Sequence, residues 1–143
     1  MTTPTQHDTR GPPAAPRLAA LRGNCMGAAV LLIVQFGLGI GANLYVTLPS
    51  NKSFFATVFS SGVVAVHAIV ALALLGAAIS ALVRAIRVRR AVAFTSAGLA
   101  AILVAAGAGV SFAGSQGNGA SLTMALATAV AMFCYLAAVF SLR

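Results

Sequence analysis

The sequence predicts an all-α membrane protein, with four transmembrane helices in an antiparallel bundle. Three observations lead there. Of the 143 residues, 60% are hydrophobic, and the mean hydropathy is +1.00. Only 7% are charged, where a soluble domain carries about 25%. That leaves too little polar surface to coat a water-facing globule, so lipid is the solvent that fits. Finally, four long apolar runs alternate with short polar segments, and the positive residues gather beside one end of them.

Residues 1–24 form a polar tail with Pro4, Pro12, Pro13 and Pro16 and scattered Thr, Gln and Arg. It has too little apolar content to fold alone and is expected to be disordered. The transmembrane domain then occupies 25–143. Its first span, about 26–46, contains no charge and is roughly 31 Å long as a helix, enough for a bilayer core. A cleaved signal peptide is the rival reading. The tail before the run is long and Ile40-Gly41-Ala42 is a poor cleavage site, so a retained helix is expected.

Pro49 stops the first span, because it has no N–H to donate and resists continuation. The Asn51-Lys52-Ser53 sequon that follows is short enough to arise by chance. The second span is expected at about 60–83, with its start somewhere in 54–61. Arg84, Arg87, Arg89 and Arg90 follow it. The third span is about 91–112. The glycines of Gly114-Ser115-Gln116-Gly117-Asn118-Gly119 suit a tight reversal, and the fourth span is about 120–142.

Charge sets the expected orientation. Arg10, Arg17, Arg22, Arg84, Arg87, Arg89, Arg90 and Arg143 fall on one side of the spans, and Lys52 on the other. Positive residues beside short loops stay in the cytoplasm, so both termini and the middle loop are expected inside a cell membrane. Tyr45, Phe54, Phe55, Phe59 and Phe112 then mark the outer interface, and Phe94, Tyr135 and Phe140 the inner one. A net charge of +8 would suggest nucleic acid in a soluble protein. Here topology explains it, and no zinc-finger spacing, RNA-binding signature or basic helix is present. Cys25 and Cys134 fall near the reducing side, which argues against a disulfide. Cys25 also precedes its apolar run, the reverse of the order in a lipoprotein signal.

Apolar burial does not drive helices together in lipid, but close contact between small residues does. Gly37 and Gly41 form a GxxxG pair. Ala73, Ala77 and Ala81, then Ala97, Ala101, Ala105 and Gly109, then Ser121, Ala125 and Ala129 form stripes at four-residue spacing. Such faces serve a compact bundle, a homo-oligomer or a membrane-protein partner. Gly39-Ile40-Gly41-Ala42-Asn43-Leu44 also echoes Gly107-Ala108-Gly109-Val110-Ser111-Phe112, a possible parallel repeat of the two hairpins.

The polar residues at hydrocarbon depth carry what chemistry there is. Gln35, Gly39 and Asn43 share one face of the first span. An unpaired amide in lipid is costly, so this face is expected to point into the bundle. His67 has no carboxylate partner, since no Asp or Glu follows Asp8. It is expected neutral, with one ring nitrogen donating and the other accepting. The plain reading is a core histidine bonded to Gln35, Asn43 or a backbone carbonyl. The sharper one is haem b binding: Met124 enters the fourth span near the level of His67, and His and Met on two helices of a bundle can be axial ligands. Gly39 and Gly109 would leave room for the macrocycle. Catalysis is not expected, because paired carboxylates are absent and only His67 could serve as a base.

The four-span pattern, Asn43-Leu44-Tyr45-Val46-Thr47-Leu48-Pro49, Val66-His67-Ala68 and Ser121-Leu122-Thr123-Met124-Ala125 resemble actinobacterial four-span integral membrane proteins of no assigned activity. The layout is also similar, remotely, to half of a haem A synthase, whose four-helix units place ligating histidines on alternate spans. This chain has one such histidine and lacks that family's intramembrane acid, so the resemblance implies haem binding at most. Three expectations follow: an accessory subunit of a membrane complex, a haem b electron-transfer protein using His67 and Met124, and a small channel or transporter along Gln35, Asn43 and His67.

Overall fold

A computed structural model describes residues 14–46, 54–115 and 117–143. The sequon, Pro49 and Lys52, together with residues 1–13, lie outside them. The chain forms α1 (Ala14–Tyr45), α2 (Phe54–Val58), α3 (Gly62–Val88), α4 (Val92–Ser115) and α5 (Asn118–Ser141). The four long helices are each apolar and long enough to cross a membrane. They pack as an antiparallel bundle in which α1 touches α3 and α5, and α4 touches α5 and α3. The chain therefore runs around a square, with α1 diagonal to α4 and α3 diagonal to α5. Within each hairpin, α1 with α3 and α4 with α5, packing is more extensive than between hairpins.

Each helix faces its neighbours along a seam that alternates three- and four-residue steps. On α1 the seam is Leu21, Cys25, Ala28, Leu32, Gln35 and Gly39. On α3 it is His67, Ala71, Leu74, Ala78, Ala81 and Ala85. A 3.5-residue period keeps two nearly antiparallel helices in register along their length. The four-residue stripes of the sequence drift around the helix instead: Ala73, Ala97 and Ala129 are exposed, while Ala78, Ala85, Ala131 and Ala138 are buried. Alanine at these seam positions lets backbones approach closely, which is where helix association in lipid gains its energy.

α1 corrects one expectation. It has 32 residues, about 48 Å of helix against a core of about 30 Å. The segment 14–24, expected to be disordered, is its first three turns. Leu21 and Cys25 are fully buried on the same face as Ala28 and Leu32, so this stretch has an apolar stripe after all. Pro16 is tolerated because N–H groups in the first turn have no intrahelical acceptor.

The other bounds shift by a few residues. α3 continues past Val83 through Arg84 and Arg87 to Val88. The start of the second span resolves into the short α2, a turn at Phe59 and Ser60, and an extended Ser61 before Gly62. The α3–α4 turn is closed by Arg90 N–H donating to Ala85 O at 3.1 Å and Arg89 N–H to Ile86 O at 3.2 Å. Arg89 (φ 55°) and Ala91 (φ 57°) both adopt the left-handed conformation, which costs a residue with a Cβ about 1–2 kcal/mol.

Candidate functional site

The polar residues of α1 meet α3 and α5 in a line that runs along the bundle. Gln35 is buried, and its Nε2 donates to His67 Nε2 at 3.0 Å. His67 Nε2 is then the acceptor, so the ring proton resides on Nδ1. This leaves His67 Nδ1 and Gln35 Oε1 buried with no hydrogen-bond partner. Gly39 sits beside the imidazole: a Cβ there would lie 3.3 Å from His67 Cε1 and 3.9 Å from Nδ1. The pairing of Gln35 with His67 agrees with the plain reading of the histidine.

Asn43 departs from the expected inward face. It is exposed, and its Oδ1 accepts from Ser121 Oγ at 3.4 Å, a tie from α1 to α5 rather than to His67. The reason is depth. Asn43 lies in the last turn of α1, where a wet interface can solvate an amide that the hydrocarbon core could not. Near the other end of α1, Asn24 Nδ2 donates to Ala77 O at 3.3 Å. The hydroxyls of Thr95 and Thr128 bond to carbonyls three or four residues back, to Ala91 and Val92 and to Met124 respectively. These buried hydroxyls are satisfied within their own helices.

Met124 packs against α4, where a Cβ on Gly109 would lie 3.6 Å from its sulfur. His67 and Met124 thus occupy equivalent places in the two hairpins, each set against a glycine of the partner helix. They sit on α3 and α5, the diagonal pair. The space that Gly39 and Gly109 open is taken up by the imidazole and the thioether themselves.

Sequence reasoning missed a third arrangement, around Tyr135. Its ring is completely buried, and a Cβ on Gly98 would approach its Cε2 to 2.8 Å. The hydroxyl is buried with no hydrogen-bond partner. The sequence alone sets Tyr135 with Phe94 and Phe140 at the inner interface, whereas its side chain is enclosed between helices. The available signal was its place four residues after Ala131 and three before Ala138, on the α5 seam. Among the described residues no cluster of three or more His, Cys, Asp or Glu could hold a metal ion, and Cys25 and Cys134 are both free thiols.

The chain matches no known family model, no curated protein and no solved structure. Its resemblance to other four-span proteins rests on the four apolar helices alone.

Proposed function

We propose that this multi-pass membrane protein is a structural or accessory subunit of a membrane complex, inserted with both termini in the cytoplasm. The observation that carries this reading is the outer flank of α1. A Cβ built on Gly23, Gly27, Gly37 or Gly41 meets nothing within 4 Å, so two GxxxG steps face away from the protein's own helices. Such notches let a second transmembrane helix approach at backbone distance. The intramembrane amides and imidazole, by contrast, are spent largely on ties between α1, α3 and α5. The test is purification of the full chain in mild detergent. A partner recovered in fixed stoichiometry, and lost with Gly37→Leu/Gly41→Leu, supports the reading. A lone monomer would argue against it.

Haem b binding is the second reading. What favours it is His67 Nδ1, buried with no partner, which would ligate iron once the Gln35 amide turned and the ring proton moved to Nε2. What opposes it is the filling of the Gly39 and Gly109 spaces by the candidate ligands themselves. A Soret band lost on His67→Ala would support it, and colourless protein from haem-replete cells would end it.

A further inference from the structure

We infer that the arginine-bearing end of the bundle binds anionic phospholipid, with its guanidinium groups arranged to hold headgroup phosphates. The sequence alone explains these arginines as an orientation signal, which needs only that they lie on one side. The structure adds that they belong to ordered elements that converge. Arg84 and Arg87 are one turn apart on α3, and Arg89 and Arg90 form the turn to α4. Arg17 and Arg22 ride on the first turns of α1, the segment that continues as helix beyond the apolar run. The Asn24–Ala77 hydrogen bond fixes the antiparallel register of α1 against α3. Carried the same number of residues along both helices, that register sets Arg17 level with Arg84. Arg143 joins them from the end of α5, stacked over Phe140 with Cζ 4.4 Å from the ring centroid.

All seven of these arginines are exposed. The chain holds a single acidic side chain, Asp8, which cannot neutralise them. Like charges brought to the same height on packed helices repel, so the folded bundle gathers charge that needs external anions. Arg84 donates Nε to Ser80 Oγ at 3.4 Å, and Arg143 stacks on Phe140 within its own helix end. Arg89 holds its place in a left-handed conformation that glycine would adopt at lower cost. Arginine offers a planar fork that bonds phosphate oxygens in pairs, which ammonium groups do not. The occupant is a lipid rather than a soluble anion because of where the groups stand. They stand at one end of four helices long and apolar enough to cross a membrane, where a bilayer would present its headgroups.

The test uses the full chain in mild detergent, titrated separately with phosphatidylglycerol, cardiolipin and phosphatidylcholine of matched acyl chains. Bound lipid is read by native mass spectrometry and the unfolding midpoint by a thermal assay. Anionic lipid is expected to be retained and to raise the midpoint, and phosphatidylcholine to do neither. Each arginine neutralised should weaken retention by on the order of fivefold, so Arg87→Gln/Arg90→Gln should lose most of it. Arg87→Lys/Arg90→Lys keeps the charge and the insertion signal, guarding against a misfolded variant, and should lose several-fold less. Lys52→Gln, which lies away from this end in the sequence, should leave retention unchanged. Equal retention of phosphatidylcholine would overturn the proposal. So would full displacement by millimolar inorganic phosphate, since the site would then read phosphate and not lipid.

Discussion

The two ends of the bundle are built differently. At the arginine end the seams close on small residues and a few large knobs. Leu21, Cys25, Ala28, Ala78, Ala81, Ala85, Tyr135 and Ala138 are almost inaccessible. At the opposite end the same seams continue with Gly39, His67, Gly109 and Met124, none fully buried, and the helices are joined by polar ties. Both halves follow one 3.5-residue period, so the difference lies in what occupies it. Alanines let backbones close at one end, where the Tyr135 ring is fully enclosed against Gly98, while imidazole and thioether stand partly exposed between the helices at the other. The residues that look most functional in the sequence therefore occupy the looser half. The fold is held by residues that look ordinary.

Several substitutions would break or sharpen that contrast. Tyr135→Ala should cost most, about 3–5 kcal/mol, because it empties a fully enclosed site. Tyr135→Phe keeps the ring and removes a buried hydroxyl without a partner, so it should leave stability unchanged or raise it. A reversible unfolding assay in mixed micelles distinguishes the two. Next comes the same change at two glycines. Gly98→Ala sets a Cβ 2.8 Å from a trapped ring, and Gly39→Ala sets one 3.3 Å from an imidazole in the looser half. The first should cost about 1–3 kcal/mol by overpacking and the second less. Equal costs would remove the distinction between the ends.

Smaller effects are expected at the ties. Gln35→Leu removes the 3.0 Å bond to His67 and should cost about 0.6–2 kcal/mol, the usual range for interhelical hydrogen bonds in membranes. Nitrogen-15 chemical shifts of the His67 ring would move with it, since Nε2 loses its donor. Ala91→Gly relieves a left-handed alanine and should raise stability by about 1 kcal/mol or less. Its midpoint of thermal unfolding should not fall.

The four spans were legible because lipid demands long uncharged runs, and composition alone exposes them. Gln35 was legible as one of three candidate partners of His67, beside Asn43 and a backbone carbonyl, since buried amides and imidazoles in hydrocarbon have few partners available. The start of α1 was not. Pro16, Arg17 and Arg22 dominate that segment by eye, and its apolar stripe consists of little more than Leu21 and Cys25 continuing the spacing of Ala28 and Leu32. The Tyr135–Gly98 contact was hidden for a different reason. It depends on the register between α4 and α5, which neither helix encodes by itself. Asn43 shows the same limit, because depth along the helix, not the face it shares with Gln35, decides whether an amide must be buried.

The most direct measurement compares unfolding midpoints of Tyr135→Ala and His67→Ala in one detergent. A fold secured at the arginine end predicts a large fall for the tyrosine variant and a small one for the histidine variant. The reverse order, with His67→Ala collapsing the protein and Tyr135→Ala tolerated, would contradict it.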